Sequence, residues 1–478
     1  MFEHRDPAAP GLPVPRPAAG TGVPALRPPV ATGGGGPRPL LSVVDTVAIV
    51  IGIVVGAGIF KTPSVVADKA GSAEYAILAW LAGGVVSLVG ALCYGELATA
   101  FPHPGGEYHF LTRAYGRAVG FLFAWARMII IQTGSIAMLA YVFGDYAASV
   151  VPLGPAGPSI FALLAVATLT AVNLAGLRQS AVTQDLLVCL TVGGLLAIIV
   201  AGFLLPAASP PALPAEGGTG GGFTASGLGL AMVFILLTYG GWNEAAYVSA
   251  EVRQVERNMV RALLLSLGVI AALYIAINLA YLHALGVRGM AASETVATDL
   301  MHLAIGPLGG FFVSTLVAVV SLASINVTII TGARTNYALS QDFPLFGFLG
   351  RWNVRTGTPT SALWLQGCIA VVLILLAAAD RHHFENVVAY ISPAFWGFML
   401  LTGLSLYVLR RREPDAPRPF RVPFYPLTPA LLCLSAIYLC YSSISYAGMG
   451  ALVGLGVLVA GVPLLLFALR PPRRRASG

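Results

Sequence analysis

Charge is what this sequence has least of. Only 10% of its 478 residues are Asp, Glu, Lys or Arg, against 57% hydrophobic ones, and its mean hydropathy is +0.82. A soluble domain carries about a quarter charged residues, so that class is excluded. Cysteine is sparse as well. Cys93, Cys189, Cys368, Cys433 and Cys440 form no C-x-x-C pair and no Cys/His metal spacing, so they read as small apolar packing residues, and neither a metal nor a cofactor is expected. H-E-x-x-H and comparable spacings are missing, which leaves an intramembrane enzyme without catalytic residues. The ten-residue alternating strands of a membrane barrel are missing too.

What the chain does have is long apolar runs. Twelve stretches approach the length of a bilayer-spanning helix: 41–66, 73–98, 118–149, 158–176, 182–205, 225–250, 260–286, 307–337, 360–379, 386–409, 428–446 and 449–469. The expected fold is therefore an all-α integral membrane protein with the lipid bilayer as its main partner. Residues 1–39, rich in Pro, Gly and Ala, read as a disordered tail; residues 40–470 form the membrane domain, and 471–478 a basic tail. With both termini inside, 22 of the 27 Lys and Arg fall in inner segments or, like Arg261 and Arg334, at the inner ends of spans, and three (Lys69, Arg288 and Arg381) in outer loops. That asymmetry predicts cytoplasmic termini in a multi-pass protein of the plasma or inner membrane. The Arg clusters at 410–412 and 473–475 read as orientation signals and headgroup contacts rather than nucleic-acid sites.

Two spans are interrupted in corresponding places. The first contains IGIVVGAGIFKTP (51–63) and the sixth YGGWN (239–243), and each opens one of two successive sets of five spans. Glycine costs roughly 1 kcal/mol against alanine in a helix interior, and freed backbone groups in lipid cost several kcal/mol each. Paired interruptions of this kind point to an inverted-repeat transporter with a midplane site. The N–H groups at the first break suit a carboxylate, and the carbonyls at the second suit an ammonium, the common part of an α-amino acid. Close helix packing by small residues is the competing reading.

The segments GAGIFKTPSVVADKAGS (56–72), GALCYGELATAFPHPGGEYHFLTRAYG (90–116), YGGWNEAAYVSAEV (239–252), NLAYLHALG (278–286) and SINVTIITGARTNYALSQDFPLFGFLG (324–350) resemble the amino acid–polyamine–organocation superfamily. Their likeness is greatest to its L-type amino acid transporter branch and covers about residues 40–425. It implies the leucine-transporter-type fold: five-plus-five inverted repeat, twelve helices, helices one and six broken. It also implies sodium-independent amino acid exchange. Carried over by position, Val55, Gly56, Ala57 and Gly58 hold the substrate carboxylate. Tyr239, Gly240, Gly241, Trp242 and Asn243 hold the ammonium and border the side chain. Ser324 and Asn326 match the S-x-N of helix eight.

The departures bear on coupling. Thr191 replaces a lysine that tethers helix one to helix five in most such transporters, and with Ser321 and Ser324 it leaves sodium open, against simple back-bonded hydroxyls. Leu237 stands where the branch has a bulky aromatic gate. Arg127 and Gln132 stand where it has an acidic residue and an arginine. The loop between spans three and four has no cysteine to bond a heavy chain, so no disulfide-linked partner is expected. Glu96 reads as pairing with a cytoplasmic basic residue, and Glu251 as joining a gate with an internal arginine. Glu244, just past the second break, can pair locally, take a proton or hold a cationic side chain. His382 and His383, beside Asp380, read as solvated loop residues, and Trp396, like Tyr108, as a packing or interface aromatic. The expected function is a secondary transporter of neutral L-amino acids working by alternating access. The runners-up are a cationic amino acid or polyamine carrier, an ion-coupled symporter and, more remotely, a non-transporting sensor. A channel fits less well, because the polar groups gather at two breaks instead of lining a pore.

Overall fold

The computed structural model describes residues 36–207, 225–379, 392–448 and 451–469. Apart from 36–39, the expected tails 1–39 and 471–478 lie outside the described residues, as do Asp380, His382 and His383. Helix dominates the rest. Ser42 starts α1 (Val43–Val54) with a capping box, accepting from Asp45 N–H at 3.2 Å while its own N–H donates to the Asp45 carboxylate at 2.7 Å. After Val55–Ala57 the chain resumes as α2 (Gly58–Ala70), bent by 51° from α1. Ser72 then caps α3 (Ala73–Ala100) by accepting from Tyr75 N–H.

A short α4 (Glu107–Tyr115) precedes the third span. That span is α5 (Arg117–Ala126), one π-helical turn (Arg127–Ile131) and α6 (Gln132–Val150). Then come α7 (Gly157–Ala175), α8 (Leu177–Leu204) and α9 (Ala225–Thr238). The sixth span turns at Tyr239–Gly241 and continues as a 3₁₀ stretch, Trp242–Glu251. Next are α10 (Val255–Ala292), α11 (Val296–Ile305) and α12 (Leu308–Asp342). A two-residue hairpin, β1 (Trp352–Asn353) on β2 (Thr358–Pro359), leads into α13 (Thr360–Ala379). The chain ends through α14 (Ser392–Arg412), α15 (Leu427–Ala447) and α16 (Ala451–Ala468).

Every expected span has a helical counterpart. Among the described residues nine helices are individually long and apolar enough to cross a membrane, and the bent pair α1–α2 makes a tenth. The sixth span falls short of that standard because its second half is 3₁₀ and its α-helical half has 14 residues. The twelfth counterpart, α16, is the shortest unbroken one at 18 residues. The protein is thus a multi-pass all-α membrane protein, and α12 is its axis, buried at nearly every position from 313 to 340. Many hydroxyls on α12, such as Thr328 and Thr331, donate back to carbonyls four residues earlier, which lets polar side chains sit in the core.

The two interrupted spans run side by side in opposite senses. α1 joins the 3₁₀ stretch by a parallel bridge, with Leu41 N–H donating to Glu251 C=O (2.8 Å) and Arg253 N–H to Leu41 C=O (2.9 Å). α2 joins α9 through Thr62 and Thr238, whose hydroxyls lie 2.7 Å apart. Beside the bridge, Arg334 of α12 meets Glu251 in a two-point ion pair of 2.5 and 2.6 Å, with both side chains at most 2% exposed. Glu96 accepts two bonds from Arg410 and one from Val422 N–H, fixing the segment after α14 against the end of α3. Removing one partner of a buried pair strands the other charge, which costs about 3–5 kcal/mol. Glu251→Ala is therefore expected to lower thermal stability in detergent by several degrees, whereas the exposed Lys69→Ala, which leaves Asp68 solvated, changes it little. Equal melting temperatures for the two variants would refute the buried-pair account.

Candidate functional site

The space between the breaks is a cavity of about 420 Å³. Its wall takes Ile53 from α1, residues 127–142 of the third span at intervals, Leu237, Gly241, Asn243 and Glu244 from the sixth, Thr328 from α12, and Phe395 and Trp396 from α14. A smaller cavity of about 50 Å³ adjoins it, lined by Gly240, Gly241, Trp242, Phe395 and Trp396 among others. Gly241 belongs to both and has φ +109°, the left-handed region. A Cβ there would stand 3.2–3.3 Å from the Ile53 side chain and carbonyl, so glycine both makes the turn and lets the two breaks touch.

The π-turn in the third span decides what one wall presents. A π-turn adds a residue to the turn and re-aims the side chains that follow. Arg127 stands at its start and Gln132 just after it. Arg127 donates to Glu244 Oε2 at 2.6 Å and to Thr335 Oγ1 at 3.2 Å, and its guanidinium lies 4.0 Å over the Tyr247 ring. The Gln132 amide donates to Thr328 C=O (2.8 Å) and Thr331 Oγ1 (2.9 Å). Asn243 is 2% exposed, and its Nδ2 has no hydrogen-bond partner. The rest of the lining is largely apolar: Ile130, Ile131, Met138, Leu139, Val142, Leu237, Phe395 and Trp396. Such a chamber suits a small zwitterion with an apolar side chain, orienting it by a few polar groups.

The residues singled out by sequence fall into three groups. Leu237, Gly241, Asn243 and Glu244 line the larger cavity, and Gly240 and Trp242 the smaller. At the first break Gly56, Ala57 and Gly58 are half-buried and Val55 fully buried, and Ile53 rather than these four lines the cavity. Gly56 N–H donates to Val54 C=O at 2.8 Å. The N–H groups of Ala57, Gly58 and Ile59 stand at the start of α2, where a helix leaves its first donors unpaired. Tyr239 is buried against Trp80 and Tyr274, at 5.9 and 4.9 Å between ring centroids.

The third group lies away from both cavities. Ser321 donates back to Val317 C=O, and Ser324 crosses to Gly52 C=O of α1 at 3.0 Å. Asn326 donates to Gln184 and Ser180 and accepts from Asn173. Thr191 is fully buried with an unpaired hydroxyl.

Sequence reasoning missed three contributors. Trp396, read as a packing or interface aromatic, is 6% exposed and lines both cavities. Thr328 lies one turn beyond Ser324 of the S-x-N, a spacing that could have flagged it. Tyr274, in the middle of the seventh span, donates to Val54 C=O (3.0 Å) and Thr238 C=O (3.2 Å). Nothing in its apolar surroundings marks it.

A family model described as amino acid permease matches residues 41–466. The chain is similar to the large neutral amino acids transporter small subunit 2 of Mus musculus, 29% identical over 446 residues, which cover 90% of this chain and 82% of that one. The Homo sapiens form is also 29% identical, over 90% and 81%. The b(0,+)-type amino acid transporter 1 of Homo sapiens is 28% identical over 403 residues, 84% of this chain and 81% of that one.

The two glycines of the first break differ in what surrounds them. A Cβ on Gly56 would meet nothing within 4 Å, while one on Gly58 would stand 2.9 Å from Thr238 Oγ1. Gly58 therefore serves the α2–α9 contact whatever else it does. Gly58→Ala should cost about 1–3 kcal/mol of stability, and Gly56→Ala should stay within about 0.5 kcal/mol of wild type. Thermal melts of both variants in detergent test this, and a Gly56→Ala variant as unstable as Gly58→Ala would contradict it.

Proposed function

From the membership of this chain in the amino acid permease family, we propose that it is a secondary transporter of neutral L-amino acids, acting as permease or exchanger by alternating access. The observation that carries the reading is the chamber between two touching backbone breaks, lined by a few polar groups among apolar side chains. The amino acid's carboxylate would take the N–H groups at the start of α2, and its ammonium the carbonyls of the Tyr239–Gly241 turn. Its side chain would lie against Leu237, Phe395 and Trp396. Val55 to Gly58 and Tyr239 to Asn243 are the assigned substrate contacts, with Leu237 as a small gate.

The Arg127–Glu244 pair favours neutral over cationic substrates. Glu244 already has a guanidinium 2.6 Å away, so a cationic side chain would compete with a bonded, buried arginine. The relatives' names agree with an amino acid cargo. No chemistry on the substrate is assigned, and no cofactor. The cysteine-free loop between spans three and four supports action without a disulfide-linked partner. The charge asymmetry supports a cell-membrane protein with both tails cytoplasmic, flanking a transporter domain at 40–470.

Protein reconstituted in liposomes is expected to take up labelled leucine, faster when the lumen holds unlabelled neutral amino acid. Excess external neutral amino acids should compete at least tenfold better than arginine. Asn243→Ala, which removes one donor worth about 1 kcal/mol, should raise the half-saturating concentration about fivefold. Absence of uptake with every amino acid, loaded or empty, would reject the reading.

A further inference from the structure

Behind Arg127 and Glu244 lies a second carboxylate that substrate binding leaves unused. Glu107 is the first residue of α4, is 3% exposed and lines neither cavity. Tyr94 of α3 donates to its Oε1, and Tyr247 of the 3₁₀ stretch donates to its Oε2 at 2.5 Å. Tyr247 is the ring beneath the Arg127 guanidinium, and both Arg127 and Glu244 lie within electrostatic reach of Glu107. The cluster thus sets two carboxylates against one guanidinium, leaving one negative charge in excess inside the protein.

The neighbours do not cancel that charge. On its own loop His103 and His109 stack at 4.2 Å and 14°. Burial pushes His103 down to about 4 and His109 well below its usual value, so both are neutral at pH 7. Arg113 is closed on Glu413 at 2.6 Å. Tyr108 donates to Asp342 of α12 at 2.5 Å, and Arg117 donates to the Asp342 carbonyl. From α14, Thr402 donates back to Phe398 C=O at 3.0 Å. Burial pushes the Glu107 carboxyl above its ordinary value, against the pull of Arg127 and the two phenols, with Glu244 adding to the rise.

We propose that the Glu107–Glu244–Arg127 cluster binds one transported proton, resting on Glu107, and that this couples amino acid entry to a proton gradient. The proposal rests on the transporter reading above and adds its drive. A zwitterionic substrate brings no net charge to offset the excess, and a proton does. When the cavity opens outward, one proton from the medium neutralises the ionised cluster; when it opens inward, the same proton leaves to the cytosol. The bonding has room for the change. Ionised Glu107 accepts from both phenols; protonated on Oε1, it still accepts from Tyr247 at Oε2, so the bond given up is the one from Tyr94. Tyr247 carries the difference to Arg127 at the cavity wall.

Liposomes holding the full chain, voltage-clamped and with external pH one unit below internal, test it. Wild type should accumulate leucine up to about tenfold, the limit for one proton per substrate, and a protonophore should abolish the accumulation. Glu107→Gln should keep leucine–leucine exchange but lose the accumulation. Tyr94→Phe removes a bond to the ionised form and should move the pH of half-maximal stimulation upward. Exchange without any response of wild type to the pH gradient would overturn the proton site and leave the transporter reading standing, whereas absence of exchange would remove both. Accumulation retained in Glu107→Gln, or an unmoved midpoint in Tyr94→Phe, would also overturn it.

Discussion

A single phenol holds the two interrupted spans break to break. Tyr274 Oη lies 3.0 Å from Val54 C=O and 3.2 Å from Thr238 C=O, the last carbonyls of α1 and α9. It has one proton; Val54 C=O also accepts from Gly56 N–H at 2.8 Å, so the phenol can close Thr238 C=O without leaving the other open. In hydrocarbon an open carbonyl costs several kcal/mol. Two breaks can therefore coexist in one bundle only if they face each other and share partners. Gly241 against the Ile53 carbonyl brings them close enough. From that contact the rest follows: α2 with α9 on one side, α1 with the 3₁₀ stretch on the other, and a chamber where neither helix is whole.

Charge in this low-dielectric interior is arranged in two different ways. Arg334 meets both oxygens of Glu251, and the pair is sealed. Arg127 meets only Oε2 of Glu244, and both residues line the cavity. The first geometry satisfies the guanidinium fork and fixes a junction between α12 and the sixth span. The second sits in the cavity lining and ties the cluster to Glu107 through Tyr247. One pair is an anchor, and the other stands where substrate and proton meet.

How much of this could be read from residues follows from length and type. Twenty-residue apolar runs are legible because the bilayer sets their length, and glycine marks both breaks, at the second because Gly241 takes φ +109° and at the first because Gly58 packs against Thr238. The π-turn at Arg127–Ile131 was not legible: it changes the aim of side chains without a residue type that announces it. Trp396 was misread because an aromatic near a span start is ordinarily an interface residue, and only the packing of α14 against the sixth span turns it inward. Gly56 and Gly58 look alike in sequence and differ by what faces them across the bundle. Ser324 looked like a cation ligand or a back-bonded hydroxyl, and its bond crosses instead to Gly52 C=O.

That crossing bond bears on how α1 can move. The resemblance places a tethering lysine where this chain has Thr191, whose buried hydroxyl has no partner. α1 is held instead by neutral contacts: Ser324 to Gly52 C=O at 3.0 Å, and Gln184 of α8 to Ala48 C=O at 3.5 Å, with Gln184 fixed by Asn326. A neutral hydrogen bond contributes about 1 kcal/mol and a charged one up to about 3. Several weak ties thus hold α1 against its neighbours on the near side of the 51° bend. A lysine would combine two tasks, the tether and a fixed positive charge. Here neutral hydrogen bonds hold α1, and the buried carboxylates Glu107 and Glu244 lie apart from them.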